Sequence, residues 1–206
     1  MDMFKQLVNE RRSANNFLPD HSITPRELDE IFNVVKMAPS AFNLQHTNYL
    51  VVMDEELKGK VKKAAFGQYK VGAASAVIVV TGDKEAYKNT EKVYEGLLML
   101  GILNQQQYDQ EVQDVISLYE SRGEQFQHDE AVRNASLSSM LFMLAAKNAG
   151  WATCPMIGFD PEEIKQILDI PDQQEPVLMI ALGKEKVESR RPRGYRKPVG
   201  EFVKYY

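Results

Sequence analysis

Ala38-Pro39-Ser40-Ala41-Phe42-Asn43-Leu44-Gln45-His46 lies between a helical pattern that ends near Met37 and a strand-like run, Tyr49-Leu50-Val51-Val52. Pro39 stops the helix, because its ring clashes with the preceding turn and it carries no N–H. The loop that follows holds a hydroxyl, Ser40, and two amides, Asn43 and Gln45, groups that both donate and accept hydrogen bonds. Two readings stand side by side. Ser and Asn are ordinary turn formers, and the same side chains suit a planar, heteroatom-edged ligand held by a loop.

Upstream, Thr24-Pro25-Arg26-Glu27 is a helix start with a capping Thr, Pro at the first helical position and Glu three residues after the cap. Leu28, Ile31, Phe32 and Val35 then recur at helical spacing. Phe4, Leu7 and Val8 predict an earlier helix over Met3–Arg12, running into Arg11-Arg12-Ser13. Positive charge at a helix C-terminus favours the macrodipole, and two guanidinium forks also make an anion site.

Downstream, Tyr49–Met53 reads as a strand, Glu55–Phe66 as a helix and Gly67-Gln68-Tyr69-Lys70 as a polar turn. Ala76–Thr81 is apolar almost throughout, the pattern of a strand covered on both faces. Helices are predicted near Lys84–Leu103, Asp109–Ser121 and Asp129–Asn148, the last apolar on most faces and so buried. The middle piece, with Tyr108, Tyr119 and Phe126, reads as a mobile cover or as ordinary packing. Asn134-Ala135-Ser136 matches a glycosylation sequon by chance. Gly150–Phe159 reads as a loop, Asp160 as the cap of another helix, and Pro176–Gly183 as a third strand. A basic tail follows, with Arg190, Arg191, Arg193, Arg196 and Lys197, and the chain ends in Phe202, Val203, Tyr205 and Tyr206, aromatics that need somewhere to pack.

Composition narrows the class. With 206 residues, 44% hydrophobic and 26% charged, the chain reads as one α+β domain over 1–206. A net charge of −4 argues against a nucleic-acid binder. The longest apolar run, Met140–Ala146, is too short to span a membrane. Met1–Arg12 has no apolar signal core, and a single cysteine, Cys154, leaves no internal disulfide, so a cytoplasmic location is expected. No P-loop, no G-x-G-x-x-G after a strand and no G-x-S-x-G elbow is present. Three histidines without ligand spacing give no metal site.

Four segments, in order, resemble the FMN-dependent nitroreductases, in particular their shorter bacterial members. They are Arg11-Arg12-Ser13, Ala38–His46, Asn134-Ala135-Ser136-Leu137 continuing to Gly150, and Thr153-Cys154-Pro155-Met156-Ile157-Gly158-Phe159. Tyr195-Arg196-Lys197-Pro198 is similar to the family's C-terminal Arg-x-Pro. The resemblance implies a central, mostly antiparallel sheet flanked by helices, and an intertwined homodimer with two FMN molecules at the subunit interface. It implies that Arg11 and Arg196, helped by Arg193, hold the phosphate, and that Arg12 and Ser13 contact the ribityl chain and ring edge. Ser40, Asn43 and Gln45 would come from the other subunit, Gln68 and Lys70 would approach the pyrimidine end, and the backbone of Pro155, Met156, Ile157 and Gly158 would lie near N5. NAD(P)H would act as a transient reductant, delivering hydride to N5 in a ping-pong cycle that reduces a nitroaromatic, quinone or related small acceptor. The same fold also serves dehalogenation, enoate or flavin reduction, and non-catalytic flavin binding. No side-chain nucleophile is implied. Asn15 stands where the family usually carries Arg or Lys, Ile157 where Gly is expected and Thr47 where an aromatic is usual.

Overall fold

The structure, a computed structural model, describes residues 2–206. Four strands, β1 (Thr47–Val52), β2 (Ala76–Asp83), β3 (Ala152–Met156) and β4 (Gln174–Gly183), form one sheet in the order β1-β2-β4-β3, every neighbouring pair antiparallel. The helices are α1 (Met3–Glu10), α2 (Pro25–Val35), α3 (Glu55–Ala64), α4 (Tyr69–Ala73), α5 (Thr90–Met99), α6 (Gln105–Asn148), α7 (Pro161–Ile167) and α8 (Val199–Phe202).

Strand β2 organises the core. Successive side chains of a strand point to opposite faces, so Val77 and Val79 enter one cluster while Ala76, Ile78 and Val80 enter another. Side chains of α3, α4 and α7 cover the first face, with Val61, Val71 and Ile164 fully buried. The second face carries α2 and the C-terminal half of α6, through Leu28, Ile31, Ala135 and Phe142. Burial on both sides is why the strand is apolar rather than alternating. The capping box before α2 forms as read: Glu27 N–H donates to Thr24 Oγ1 at 3.3 Å and Thr24 N–H to Glu27 Oε2 at 2.9 Å.

Four expectations are corrected. Gly150–Phe159 is not all loop, since Ala152–Met156 is β3, paired with β4. Pro155 argues against a strand, but β3 lies at the sheet edge, where a missing donor is tolerated. Gly67–Lys70 is a turn only as far as Gln68, because α4 starts at Tyr69. Of the three helices expected between Asp83 and Gly150, the first becomes a short 3-10 turn (Ala86–Asn89) and α5, while the other two lengthen and meet as the halves of a 44-residue α6 that breaks at Gly123. Finally, the C-terminal half of α6 is buried on one side only. Ala135, Ser138 and Phe142 are enclosed, whereas Leu137 is 49% and Met140 41% exposed.

Tyr119 packs rather than covers. It stacks on Tyr87 at 5.2 Å and meets Phe126 edge-on at 5.2 Å, within a third cluster containing Leu44 and Val115. The terminal aromatics find no cover within the chain: Phe202, Tyr205 and Tyr206 are exposed. Among the described residues no helix is long and apolar enough to cross a membrane, and no group of three or more His, Cys, Asp or Glu side chains gathers as for a metal.

Candidate functional site

Helix α1 closes its last turn with Arg11 N–H on Leu7 O at 2.9 Å, after which the chain runs extended. The segment after β4 comes back antiparallel along it. Leu18 N–H donates to Lys184 O at 2.8 Å and Lys186 N–H to Asn16 O at 3.0 Å. Further along, Asn15 Nδ2 donates to Ser189 O at 2.9 Å and Arg12 Nη1 to Arg191 O at 3.1 Å. Arg193 ends the seam, its guanidinium donating to the carbonyls of Asn9 and Arg11. Thus residues more than 160 apart in sequence are stitched into one strap, and Arg190 is tied to its base by Glu185.

The strap encloses a cavity of about 220 Å³ in which Arg11, Arg12, Ser13 and Asn15 face Arg191, Arg193 and Arg196. Among the described residues no carboxylate lines it. Burial and the nearby Arg193 and Arg196 charges push the Arg11 pKa down. Arg12 Nε is buried with no hydrogen-bond partner. Crowded guanidinium groups without a counter-charge are the chemistry of an anion site.

From this cavity the site continues along β3. Ser13 bridges to Thr153, and Ala14 N–H donates to Thr153 O at 3.0 Å. Lys70 Nζ sits 3.3 Å from Cys154 Sγ. Gln68 Nε2 donates to Gly158 O at 2.6 Å. A Cβ on Gly158 would meet that Gln68 nitrogen at 3.2 Å, so a bare backbone keeps the contact tight. Met156 is buried and Pro155 half-buried, while Ile157 projects outward, 81% exposed. The anion cavity, Lys70, Gln68 and the Pro155–Gly158 stretch therefore belong to one continuous flank.

Ser40, Asn43 and Gln45 lie elsewhere. Ser40 and Gln45 line a second cavity, of about 230 Å³, with Phe32, Thr47, Tyr49 and Ser138, and it shares no residue with the arginine cavity. Asn43 belongs to a 3-10 turn, Ala41–Asn43. Phe42, Asn43 and Gln45 adopt φ of 52°, 55° and 53°, a region unfavourable for L-residues. Gln45 N–H donates to Ser40 Oγ at 3.0 Å, and Gln45 Nε2 to Asn43 O at 3.2 Å. Next in the chain, His46 is fully buried, its Nε2 3.2 Å from Tyr119 OH, and burial pulls its pKa to about 4. Burial likewise raises the Tyr49 phenol to about 12, partly offset by its hydrogen bond with Ser138 at 2.7 Å.

Reading by residue type misses Arg191, Thr153, Tyr49 and Ser138. Arg191 carries a signal, its place in the basic tail. Thr153, whose buried Oγ1 has no partner beside Ser13, carries none apart from its place at the head of the Thr153–Phe159 segment and its strand register.

Comparison with known proteins gives a consistent outcome. The family model described as "Nitroreductase family" matches residues 8–184. The Bacillus subtilis (strain 168) protein named "Putative NAD(P)H nitroreductase MhqN" is 64% identical over 205 residues, covering 100% of both chains. A crystal structure of "putative nitroreductase ydfN" from Bacillus subtilis superposes with a TM-score of 0.97 at 64% identity, over 99% of each chain. A "putative nitroreductase in complex with FMN" from Exiguobacterium sibiricum 255-15 gives 0.90 at 29% identity, over 98% of this chain and 97% of that one.

Proposed function

Because this chain belongs to the nitroreductase family, with that family's α+β fold, we propose that it is an FMN-dependent NAD(P)H oxidoreductase acting as a homodimer on nitroaromatic, quinone or related small acceptors. The observation that carries the reading is the strap: both ends of the chain bring Arg11, Arg12, Arg193 and Arg196 to one cavity that has no carboxylate. A dianionic ribityl phosphate fits that cavity, since it supplies the missing counter-charge and an acceptor for the buried Arg12 Nε. FMN held there would supply the redox chemistry, hydride transfer between NAD(P)H and the acceptor.

The protein's own part is to bind, orient and stabilise. Arg11 and Arg196 grip the phosphate, with Arg193 fixing the strap and Arg12 and Ser13 lying along the ribityl chain. Lys70 and Gln68 face the pyrimidine edge, where an ammonium and an amide donor favour the negative charge that develops on reduction. The backbone of Pro155–Gly158 flanks the reacting face, and Ile157 narrows it. Ser40, Asn43 and Gln45, remote from this cavity in their own chain, reach the ring of the other subunit.

The test is spectroscopic. Purified protein is expected to be yellow and to bleach on anaerobic addition of NADH or NADPH, with colour restored by p-nitrobenzoate, menadione or an enone. Arg196→Ala is expected to weaken FMN binding by roughly 1.5–3 kcal/mol, a loss of about tenfold or more, with riboflavin affinity unchanged. Unaltered FMN affinity in that variant overturns the phosphate assignment. A colourless protein that takes up no FMN overturns the function.

A further inference from the structure

Helix α6 carries a polar ladder on a face that otherwise enters the core. Glu130, Asn134 and Ser138, spaced by one turn each, are 8%, 2% and 6% exposed. The middle rung reaches across 93 residues to the Ser40–Gln45 loop: Asn134 Oδ1 accepts from Ala41 N–H at 2.8 Å. Its Nδ2 is held from below, donating to Glu130 O at 2.7 Å and to Glu130 Oε2 at 3.3 Å. Arg133, on the surface, pairs with Glu130 and fixes that carboxylate in turn. One turn on, Ser138 bonds the Tyr49 phenol, which lines the same cavity as Ser40 and Gln45.

The loop needs such support. Three of its non-glycine residues sit at φ above 50°, which local preference opposes. A backbone of this kind persists only where the surroundings over-determine it. Within the loop the restraints are local: Gln45 N–H on Ser40 Oγ, Asn43 N–H on Ser40 O and Leu44 N–H on Ala41 O. Asn134 supplies a side-chain hydrogen bond from another element, and its amide matches the half-buried Ala41 N–H without leaving either of its own ends unpaired. The residue that reads as a glycosylation sequon is thus an internal strut.

We propose that Asn134 is a positioning residue: through the Ala41 amide it holds the strained Ser40–Gln45 loop in the shape that contacts the flavin ring of the other subunit. The inference rests on the flavin reading above. It differs from the arginine assignment in which end of the cofactor it affects, and binding of FMN against riboflavin separates the two.

Asn134→Ala is expected to weaken FMN and riboflavin alike, each roughly tenfold for one lost half-buried hydrogen bond, with their ratio unchanged. Arg196→Ala is expected to reduce that ratio. Backbone hydrogen exchange adds a second readout: the amides of Asn43 and Leu44 speed up in Asn134→Ala, while those of Ser139 and Phe142 on α6 keep their protection. Should Asn134→Ala fail to fold, Ala41→Pro removes the same hydrogen bond from the loop side, at the first position of a 3-10 turn preceded by an extended Ser40, where proline fits. It is expected to show the same equal loss. Wild-type affinity for both flavins, a loss confined to FMN, or unchanged exchange at Asn43 and Leu44 would each overturn the proposal. Wild-type protein that takes up neither flavin defeats the functional reading instead, and loop exchange then still decides whether Asn134 orders the loop.

Discussion

His46 is the side chain through which acid reaches the core. Its imidazole is enclosed, and burial lowers its pKa from 6.5 to about 4. In the unfolded chain it takes up a proton near pH 6.5. Between pH 6.5 and 4 the unfolded state therefore binds the extra proton, and stability falls as pH falls through that window; above it the contribution is constant. A gap of this size corresponds to on the order of 3 kcal/mol. Urea unfolding of wild type is expected to weaken markedly between pH 7 and pH 4.5, and His46→Gln, which cannot titrate but still offers Tyr119 a partner, is expected to lose less. An identical acid loss in the variant would place the sensitivity on another group. At this scale the sequence is legible only in part. Arg11 and Arg196 are recognisable as cations, yet their meeting depends on a strap whose register is set by backbone carbonyls and by Asn15, which no residue pattern encodes. The Asn15 amide itself anchors Ser189 O. Asn134 is hidden for the same reason, because its partner is a backbone N–H 93 residues away.

Two glycines test how the elements fit together. Gly82, in β2, faces α6 so closely that a Cβ would lie 2.6 Å from Ala131 O and 2.7 Å from Ala131 C. The obstacle is helix backbone, which cannot swing aside, so Gly82→Ala is expected to cost roughly 1–3 kcal/mol through overpacking. Gly123 is the opposite case. A Cβ there meets nothing within 4 Å, but φ is 75° and ψ −177°, a region almost closed to other residues. Gly123→Ala is expected to cost about 1–3 kcal/mol through torsion alone. In a protein of this size each kcal/mol lowers the thermal midpoint by about 2–4 °C, so both variants are readable by scanning calorimetry. A Gly82→Ala midpoint equal to wild type would mean that β2 and α6 separate freely. An unchanged Gly123→Ala midpoint would mean that α6 straightens without penalty. Element identity was legible wherever periodicity and caps agree, as for α2, α7, β2 and β4. Strand β3 escaped because Pro155 and a single half-hidden edge leave neither alternation nor an apolar run. The break in α6 falls in the gap that the sequence leaves between Ser121 and Asp129, although one glycine among helix formers does not reveal its φ.

The whole molecule exposes more apolar surface than one chain can use. Leu137, Met140, Leu141 and Leu144 recur along α6 opposite its buried face, and the last two join Phe4, Leu7 and Val34 around a hollow of about 500 Å³. Such a stripe, continuous over three helices, exceeds what scattered surface residues account for. The two parts of the candidate site add an independent argument: the arginine cavity and the Ser40–Gln45 loop are separate within one chain, and a second copy is the natural way to unite them. The sheet order and both packed faces follow from an apolar central strand that the sequence displays openly, whereas the proposed assembly turns on which face of α6 is left uncovered, a face that only the fold displays. Leu137 is half-exposed, so Leu137→Lys is expected to change the stability of a single chain by less than about 0.5 kcal/mol. In a dimer the same ammonium would be buried against apolar side chains without a partner, a cost of several kcal/mol. Analytical ultracentrifugation is therefore expected to give a dimer for wild type and a monomer for Leu137→Lys, and the monomer is expected to lose its flavin, because each ring would then lack the loop from the other chain. A variant that stays dimeric and yellow would move the interface to another face. One that becomes monomeric yet retains FMN would show that a single chain holds the cofactor unaided.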